Sequence, residues 1–172
     1  VTLALVDGAG QPLGPSLAVK QATVQLQTCN ADQSPEAVEA NVRFGDEIHL
    51  ENYILTQEGR QAQLTLSWRG LRPMSTDYTI FVHVFDPITG SIVLQADAMP
   101  YQGWRPTTLW WPGDPQVDNN TVISLDGVTP GRYGIALGVY DAATGNRLPA
   151  TDGQGRSITD GRFVLERTVE VK

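Results

Sequence analysis

The chain is poor in the residues that build metal cages, disulfides and nucleic-acid grips: one cysteine, two histidines, and twelve Lys+Arg against nineteen Asp+Glu. A lone Cys29 closes no intrachain disulfide and offers no cysteine cage to a metal. With no electropositive neighbour in sequence to lower its pKa, it reads as a small apolar filler or a loop thiol. A net charge of −7 and a pI near 4.7 exclude binding to the phosphate backbone of nucleic acid or to an anionic bilayer, both of which need clustered Lys and Arg. No apolar run approaches the ~18 residues of a membrane span. The start at Val1, with no basic segment and no initiator Met, reads as a domain from a longer chain, so any membrane segment lies outside it. Charged residues make up only 18%, which excludes a coiled coil and an intrinsically disordered chain.

What is present is a 172-residue chain, 41% hydrophobic, with 17 Gly and 11 Pro. Its apolar residues alternate with a period of two, the signature of strands with one buried and one wet face. Ala22, Val24 and Leu26 share one face; further on, Ile48 and Leu50 oppose Glu47, His49 and Glu51, and Leu64, Leu66 and Trp68 oppose Gln63, Thr65, Ser67 and Arg69. Asp77–Asp86, Ile92–Leu94 and much of Arg132–Tyr140 are apolar on both faces, which predicts central strands or strands covered by a loop. Phe163–Val171 turns Phe163, Leu165, Val169 and Val171 inward. Gln33–Ala40 alone has helix-like composition, with Ser34 as a candidate N-cap and Pro35 in the first turn.

Gly, Pro, Asn and Asp clusters separate these runs at the short spacing of an all-β protein. The fold expected is an antiparallel β-sandwich of immunoglobulin-like or jelly-roll type with about nine strands, one domain over residues 1–172, in which residues 1–40 fit least well. Its core would hold Val24, Leu26, Ile48, Leu50, Leu64, Leu66, Trp68, Ile80, Val82, Val84, Ile135, Leu137, Val139, Phe163 and Leu165, with Gly134, Ala136 and Gly138 inviting close approach on the other face of their strand. A weak internal echo aligns Phe81–Asp97 with Ala136–Asp152, each reading strand, Asp-x-x-Thr-Gly, strand. Asp capping the turn and Gly at positive φ account for both copies; a calcium or sugar contact from Asp86 or Asp141 is the alternative.

The usual catalytic signatures are missing: no Gly-x-Ser-x-Gly elbow, no His-Glu-x-x-His, no phosphate-binding Gly-x-x-x-x-Gly-Lys and no Gly-x-Gly-x-x-Gly after a strand. His49 between Glu47 and Glu51 reads as part of a solvated face, with a carboxylate–His metal site as the competing reading. His83 shares its face with Phe81 and Phe85 and reads as a satisfied, half-buried histidine. Asp114, Asp118, Asp126, Asp152 and Asp160 read as turn residues; calcium chemistry at Asp118–Asn120 or Asp152–Gly155 lacks the spacing of a calcium loop. No catalytic residue, metal or cofactor is therefore assigned, and the chain is expected not to be an enzyme.

One stretch stands apart. Met99–Asp118 packs three of the four Trp and four of the eleven Pro into a short, irregular segment. Either its rings stack on sugars, with Tyr101, Trp104, Trp110, Trp111 and Asp114 as candidate ligand-binding residues, or it plugs one end of the sandwich, burying Trp104 and one of Trp110 and Trp111. In extended chain those two neighbours point opposite ways, so one of them stays wet.

Several phrases carry a resemblance. They are Phe44-Gly-Asp-x-Ile-x-Leu50 with Tyr53, Leu64-Thr-Leu-Ser-Trp68, Asp77-Tyr-Thr-x-Phe-Val-His-Val84, Gly103-x-x-Pro-Thr-Thr-x-Trp110, Pro112-Gly113-Asp114 with Val117-Asp118, Pro130-Gly-Arg-Tyr133, Gly138-Val-Tyr-Asp141 and Thr144-Gly-x-Arg-Leu-Pro149. Together they resemble the C-terminal extracytoplasmic β-domain of membrane glycosyltransferase-like proteins of the protein-mannosyltransferase type. The resemblance implies a non-catalytic accessory domain on the outer side of the cytoplasmic membrane, tethered through segments outside this chain and contacting carbohydrate or a protein partner. It supplies no catalytic residue, because the family's transferase chemistry lies in its membrane part. A purely structural or protein-interaction sandwich, and a glycoside hydrolase using an Asp/Glu pair, are the alternatives.

Overall fold

The computed structural model of the chain describes residues 36–172. The strand expected over Ala22–Gln27, its core positions Val24 and Leu26, Cys29, and the Ser34–Pro35 start of the expected helix lie outside the described residues.

Alternation becomes strands wherever a partner ladder covers one face. β1 (Val38–Phe44), β2 (Ile48–Glu58), β3 (Gln61–Gly70) and β6 (Pro115–Ser124) join β8 (Ala150–Thr151) and β9 (Ser157–Ile158) in one sheet, ordered β6-β3-β2-β1-β8-β9. β4 (Tyr78–Phe85), β5 (Ile92–Gln95), β7 (Gly131–Asp141) and β10 (Phe163–Val171) form the other, ordered β10-β7-β4-β5. All pairings are antiparallel, and the two sheets pack as a β-sandwich with ten strands among the described residues. In β3 Leu64, Leu66 and Trp68 are buried while Gln63 stays wet, and Ile48 and Leu50 of β2, Ile80, Val82 and Val84 of β4, Ile135, Leu137 and Val139 of β7 and Leu165 of β10 complete the expected core. Phe163 is only partly buried, and Phe44, Tyr53, Ile123, Leu125, Val169 and Val171 join the interior.

Two expectations fail for identifiable reasons. Within Gln33–Ala40, residues Val38–Ala40 are not helical but open β1, where Val38 pairs with Tyr53 of β2. A β-branched residue with a ladder partner outweighs the local Ser-Pro start signal. Ile92–Leu94 is neither central nor covered: β5 is a four-residue edge strand, and Ile92 and Val93 are 46% and 41% exposed. Its inner face packs on the core through Leu94, so apolarity on the second face is not explained by burial.

The sheets are tied to each other as well as packed. Tyr53 is fully buried in β2, and its hydroxyl accepts the N–H groups of Glu166 and Arg167, at 3.0 and 3.3 Å, at the bulge in β10. After β7 the chain turns back: the Leu148 N–H donates to Val139 O at 2.8 Å, and the next carbonyl, that of Pro149, accepts from Gly45 N at 2.7 Å before Ala150 and Thr151 pair with β1. One short segment thus leaves the first sheet's partner and enters the other.

Both Asp-x-x-Thr-Gly loops close through the same bonds. Asp86 Oδ1 accepts from Ile88 N at 2.8 Å, and Asp141 Oδ1 from Ala143 N at 2.9 Å; Gly90 and Gly145 share a φ of 75° and donate to the carbonyls of Asp86 and Asp141. These backbone bonds hold the Asp86 carboxyl below its usual pKa.

Candidate functional site

The aromatic stretch is built from two short 3-10 turns, Pro100–Gly103 and Thr107–Leu109, held to the sandwich at several points. Asp118 Oδ2 accepts from Tyr101 N at 3.0 Å, while Thr107 Oγ1 donates to Thr76 O at 2.8 Å and accepts from Tyr78 N at 2.9 Å. Thr108 Oγ1 donates to Asp77 Oδ1 at 2.6 Å, and Gly113 N to Gly70 O at 2.9 Å. Tyr101 and Gln102 both sit at positive φ, 52° and 54°, a conformation that costs a non-glycine residue about 1 kcal/mol or more. The anchors overdetermine the loop and hold that strain.

Its rings divide between inside and outside. Trp110 is 2% exposed, lies 6.5 Å from Trp68 and donates its Nε1–H to Arg105 O at 3.1 Å. Trp111 is 71% exposed, as the opposite directions of neighbouring side chains require. Trp104 is not the buried plug residue that the end-plug reading expects: it is 90% exposed, at the end of the first 3-10 turn. Tyr101 is partly buried and serves through its backbone, and Asp114 is exposed beside the turn at Gly113. The stretch therefore separates Trp110, an interior residue, from Trp104, Trp111 and Asp114 on the surface. Leu109, 57% exposed, extends the apolar part of that surface.

Asp118 is a correction. It lies in β6, not in a turn, and is 4% exposed, because the loop folds over this edge strand and uses its carboxylate as an anchor. Gln116 in the same strand is 1% exposed and stands opposite Trp68 in the ladder; Gln116 Oε1, Gln116 Nε2 and Trp68 Nε1 are buried without a hydrogen-bond partner. Buried polar atoms of this kind are satisfied in proteins by enclosed water or a ligand.

The other sequence candidates are engaged in structural contacts. His49 Nε2 lies 3.0 Å from Asn41 Oδ1, Glu51 pairs with Arg69 at 2.7 Å, and Glu47 pairs with Arg72 at 2.8 Å and accepts the Tyr78 hydroxyl. Burial and that bond to Glu47 push the Tyr78 hydroxyl up to about 12. Asp152 accepts from Gln154 N and Arg156 N and binds the Arg156 side chain at 2.7 Å, so its oxygens close a turn. Among the described residues no three His, Cys, Asp or Glu side chains stand close enough to hold a metal ion, and no helix is long and apolar enough to cross a membrane.

A second cluster was invisible as a cluster in the sequence. On the outer face of the four-stranded sheet, β4 presents Phe81, His83 and Phe85 opposite Gly138, Ala136 and Gly134 of β7. The small residues let the rings lie on the strand: a Cβ on Gly134 would stand 2.5 Å from the Phe85 ring. Arg147 covers Phe81 at 4.4 Å and Arg162 covers Phe85 at 4.2 Å, two cation–π stacks on either side of His83. His83 is 3% exposed, not half-buried, with Nε2 at 3.1 Å from Gln95 Nε2 and 3.9 Å from Asp97 Oδ1. Its Nδ1 has no partner, so it is not fully satisfied either. Burial is the main cause that lowers its pKa; Asp97 opposes this, and Arg147 and Arg162 add to it. The residues were legible one by one, but Arg147 reaches this face from the segment after β7 and Arg162 from the 3-10 turn before β10.

No protein-family model matches the chain, and no curated protein matches it at a significant level.

Proposed function

We propose that this chain is a non-catalytic accessory domain of a membrane glycosyltransferase-like protein, working on the outer side of the cytoplasmic membrane and tethered by segments outside this sequence. In this reading the domain contacts carbohydrate through Trp104 and Trp111, with Asp114 beside them to bond hydroxyls. The observation that carries it is two exposed indoles, 90% and 71%, on a loop pinned through Thr107, Thr108, Gly113 and the Asp118 carboxylate. Large exposed aromatics on a preorganised loop lose little entropy on binding, and flat rings suit the C–H faces of a pyranose. Carboxylates held by Arg69, Arg72 and Arg156 or by turn N–H groups favour binding over acid–base hydrolysis. The bond from the Tyr133 hydroxyl back to Thr129 O, at 2.9 Å, resembles the tyrosine corner of immunoglobulin-like sandwiches and favours that type over the jelly roll.

The test is intrinsic Trp fluorescence during titration with neutral oligosaccharides. A saturable shift in the millimolar range, lost in Trp104→Ala and Trp111→Ala, is expected; no shift in the parent protein would sink the carbohydrate reading. A protein partner is the second reading, favoured by edge strand β5, which carries no charged residue and exposes Ile92 and Val93, with Ile88 93% exposed in the turn before it. Among the described residues β5 ends its sheet, and such an edge is the usual seat for an added strand.

A further inference from the structure

We propose that the outer face of the β4–β7 pair is an oxyanion site, in which His83 and Arg162 bind one carboxylate or phosphate group. The case begins with hydrogen-bond supply. With the Gln95 amide nitrogen facing His83 Nε2, that ring atom is the acceptor, and the proton of the neutral imidazole sits on Nδ1. Nδ1–H is then a buried donor without an acceptor. Arg162 Nη2 is a second one on the same face. The His83 side chain is 4% exposed, and leaving a buried donor unmade costs about 1–3 kcal/mol, more for a charged group.

Charge points the same way. Arg147 and Arg162 bring two guanidinium groups to the neighbourhood of His83 in a protein whose net charge is −7. The acidic group facing the ring is Asp97, and it stands on the Nε2 side, away from the unpartnered nitrogen, where the Tyr140 hydroxyl also reaches it at 3.5 Å. Two donors with no acceptor, backed by positive charge, call for an oxygen anion and not for a cation or a sugar hydroxyl. The stack on Phe85 fixes the plane of the Arg162 guanidinium, so little ordering of that group remains at binding. Both unpartnered atoms are covered, so the anion enters as a surface side chain swings aside. Arg147, exposed and holding the Asp160 carbonyl at a long 3.4 Å, is placed to do so and to close over the bound group.

The experiment follows the ring resonances of His83 by NMR in labelled protein during titration with sodium phosphate and, separately, sodium glucuronate, with sodium chloride at matched ionic strength as control. Saturable movement with either probe, a rise in the apparent pKa of His83, and affinity reduced about tenfold or more in Arg162→Gln are expected. Response to one probe and not the other tells phosphate from carboxylate as the natural group. Movement no larger than in chloride means that His83 and Arg162 share an enclosed water or an adventitious ion only, and overturns the proposal. So does equal binding by a folded Arg162→Gln. Should that variant not fold, Asp97→Asn serves: it removes the opposing carboxylate and is expected to tighten binding, and unchanged affinity overturns the site. None of these readouts depends on Trp104 or Trp111.

Discussion

Gln57 of β2 bonds both backbone groups of Glu170 in β10: its Nε2 donates to the Glu170 carbonyl at 2.6 Å, and its Oε1 accepts the Glu170 N–H at 3.0 Å. One side-chain amide thus stands where a neighbouring strand's peptide group would, on the side of β10 away from β7, where β10 ends its sheet among the described residues. Edges of this kind invite pairing with a second chain unless something occupies them.

Gln57→Ala is therefore expected to cost about 1–2 kcal/mol of unfolding free energy, the usual worth of two partly exposed hydrogen bonds, and to promote self-association. Chemical denaturation measures the first and sedimentation velocity the second. Gln57→Glu keeps one acceptor but places a carboxylate oxygen against the Glu170 carbonyl, and should be no better than alanine.

Gly138 and Gly90 separate crowding from backbone conformation. A Cβ on Gly138 would run into both the Phe81 ring and the Gly161 carbonyl, whereas one on Gly90 meets open space at a φ of 75°. Gly138→Ala is expected to destabilise by several kcal/mol, since the obstacle includes backbone; Gly90→Ala should cost about 1 kcal/mol from strain alone. Thermal melts of the two variants decide it. A Gly138→Ala melt equal to that of Gly90→Ala would mean that the rings do not lie on β7.

One buried imidazole and one half-buried one set a pH window. His83 and His49 are both lowered from the ordinary histidine value of 6.5, chiefly by burial. The unfolded chain therefore takes up protons first as pH falls below 6.5, so stability is full above that value and is lost on the way down to the folded values. Around His83 the groups that weigh in are Asp97, which raises, and Arg147 and Arg162, which lower. His83→Gln should flatten the fall that sets in below pH 6.5, measured as denaturation midpoints against pH. The turn carboxylates Asp86 and Asp152, lowered from 3.8, act in a separate and more acidic range.

The strands of the core were legible because each buried face repeats every second residue, as in Leu64, Leu66 and Trp68. Turn chemistry was legible for a similar reason: the Asp and the Gly of Asp-x-x-Thr-Gly act within their own loop. What depended on distant chain was not. Asp118 looks like any turn aspartate until the aromatic loop folds back over β6, and Trp104 looks like a core ring although it stands exposed at the end of a 3-10 turn. Likewise the composition around His83 says nothing of Arg162, which arrives from the start of β10. Local rules predict local partners, and the candidate sites here are made of remote ones.

Consider the segment that carries Leu148 into one sheet and Pro149 into the other. Its two bonds take their targets from both sheets, Val139 in β7 and Gly45 at the turn between β1 and β2, and the Arg43–Thr151 pairing joins positions far apart in the chain. Closing so long a loop is entropically costly until other contacts have prepaid part of it. A substitution that loosens the return segment would therefore act on both sheets at once, freeing the β1 edge from the chain that follows β7.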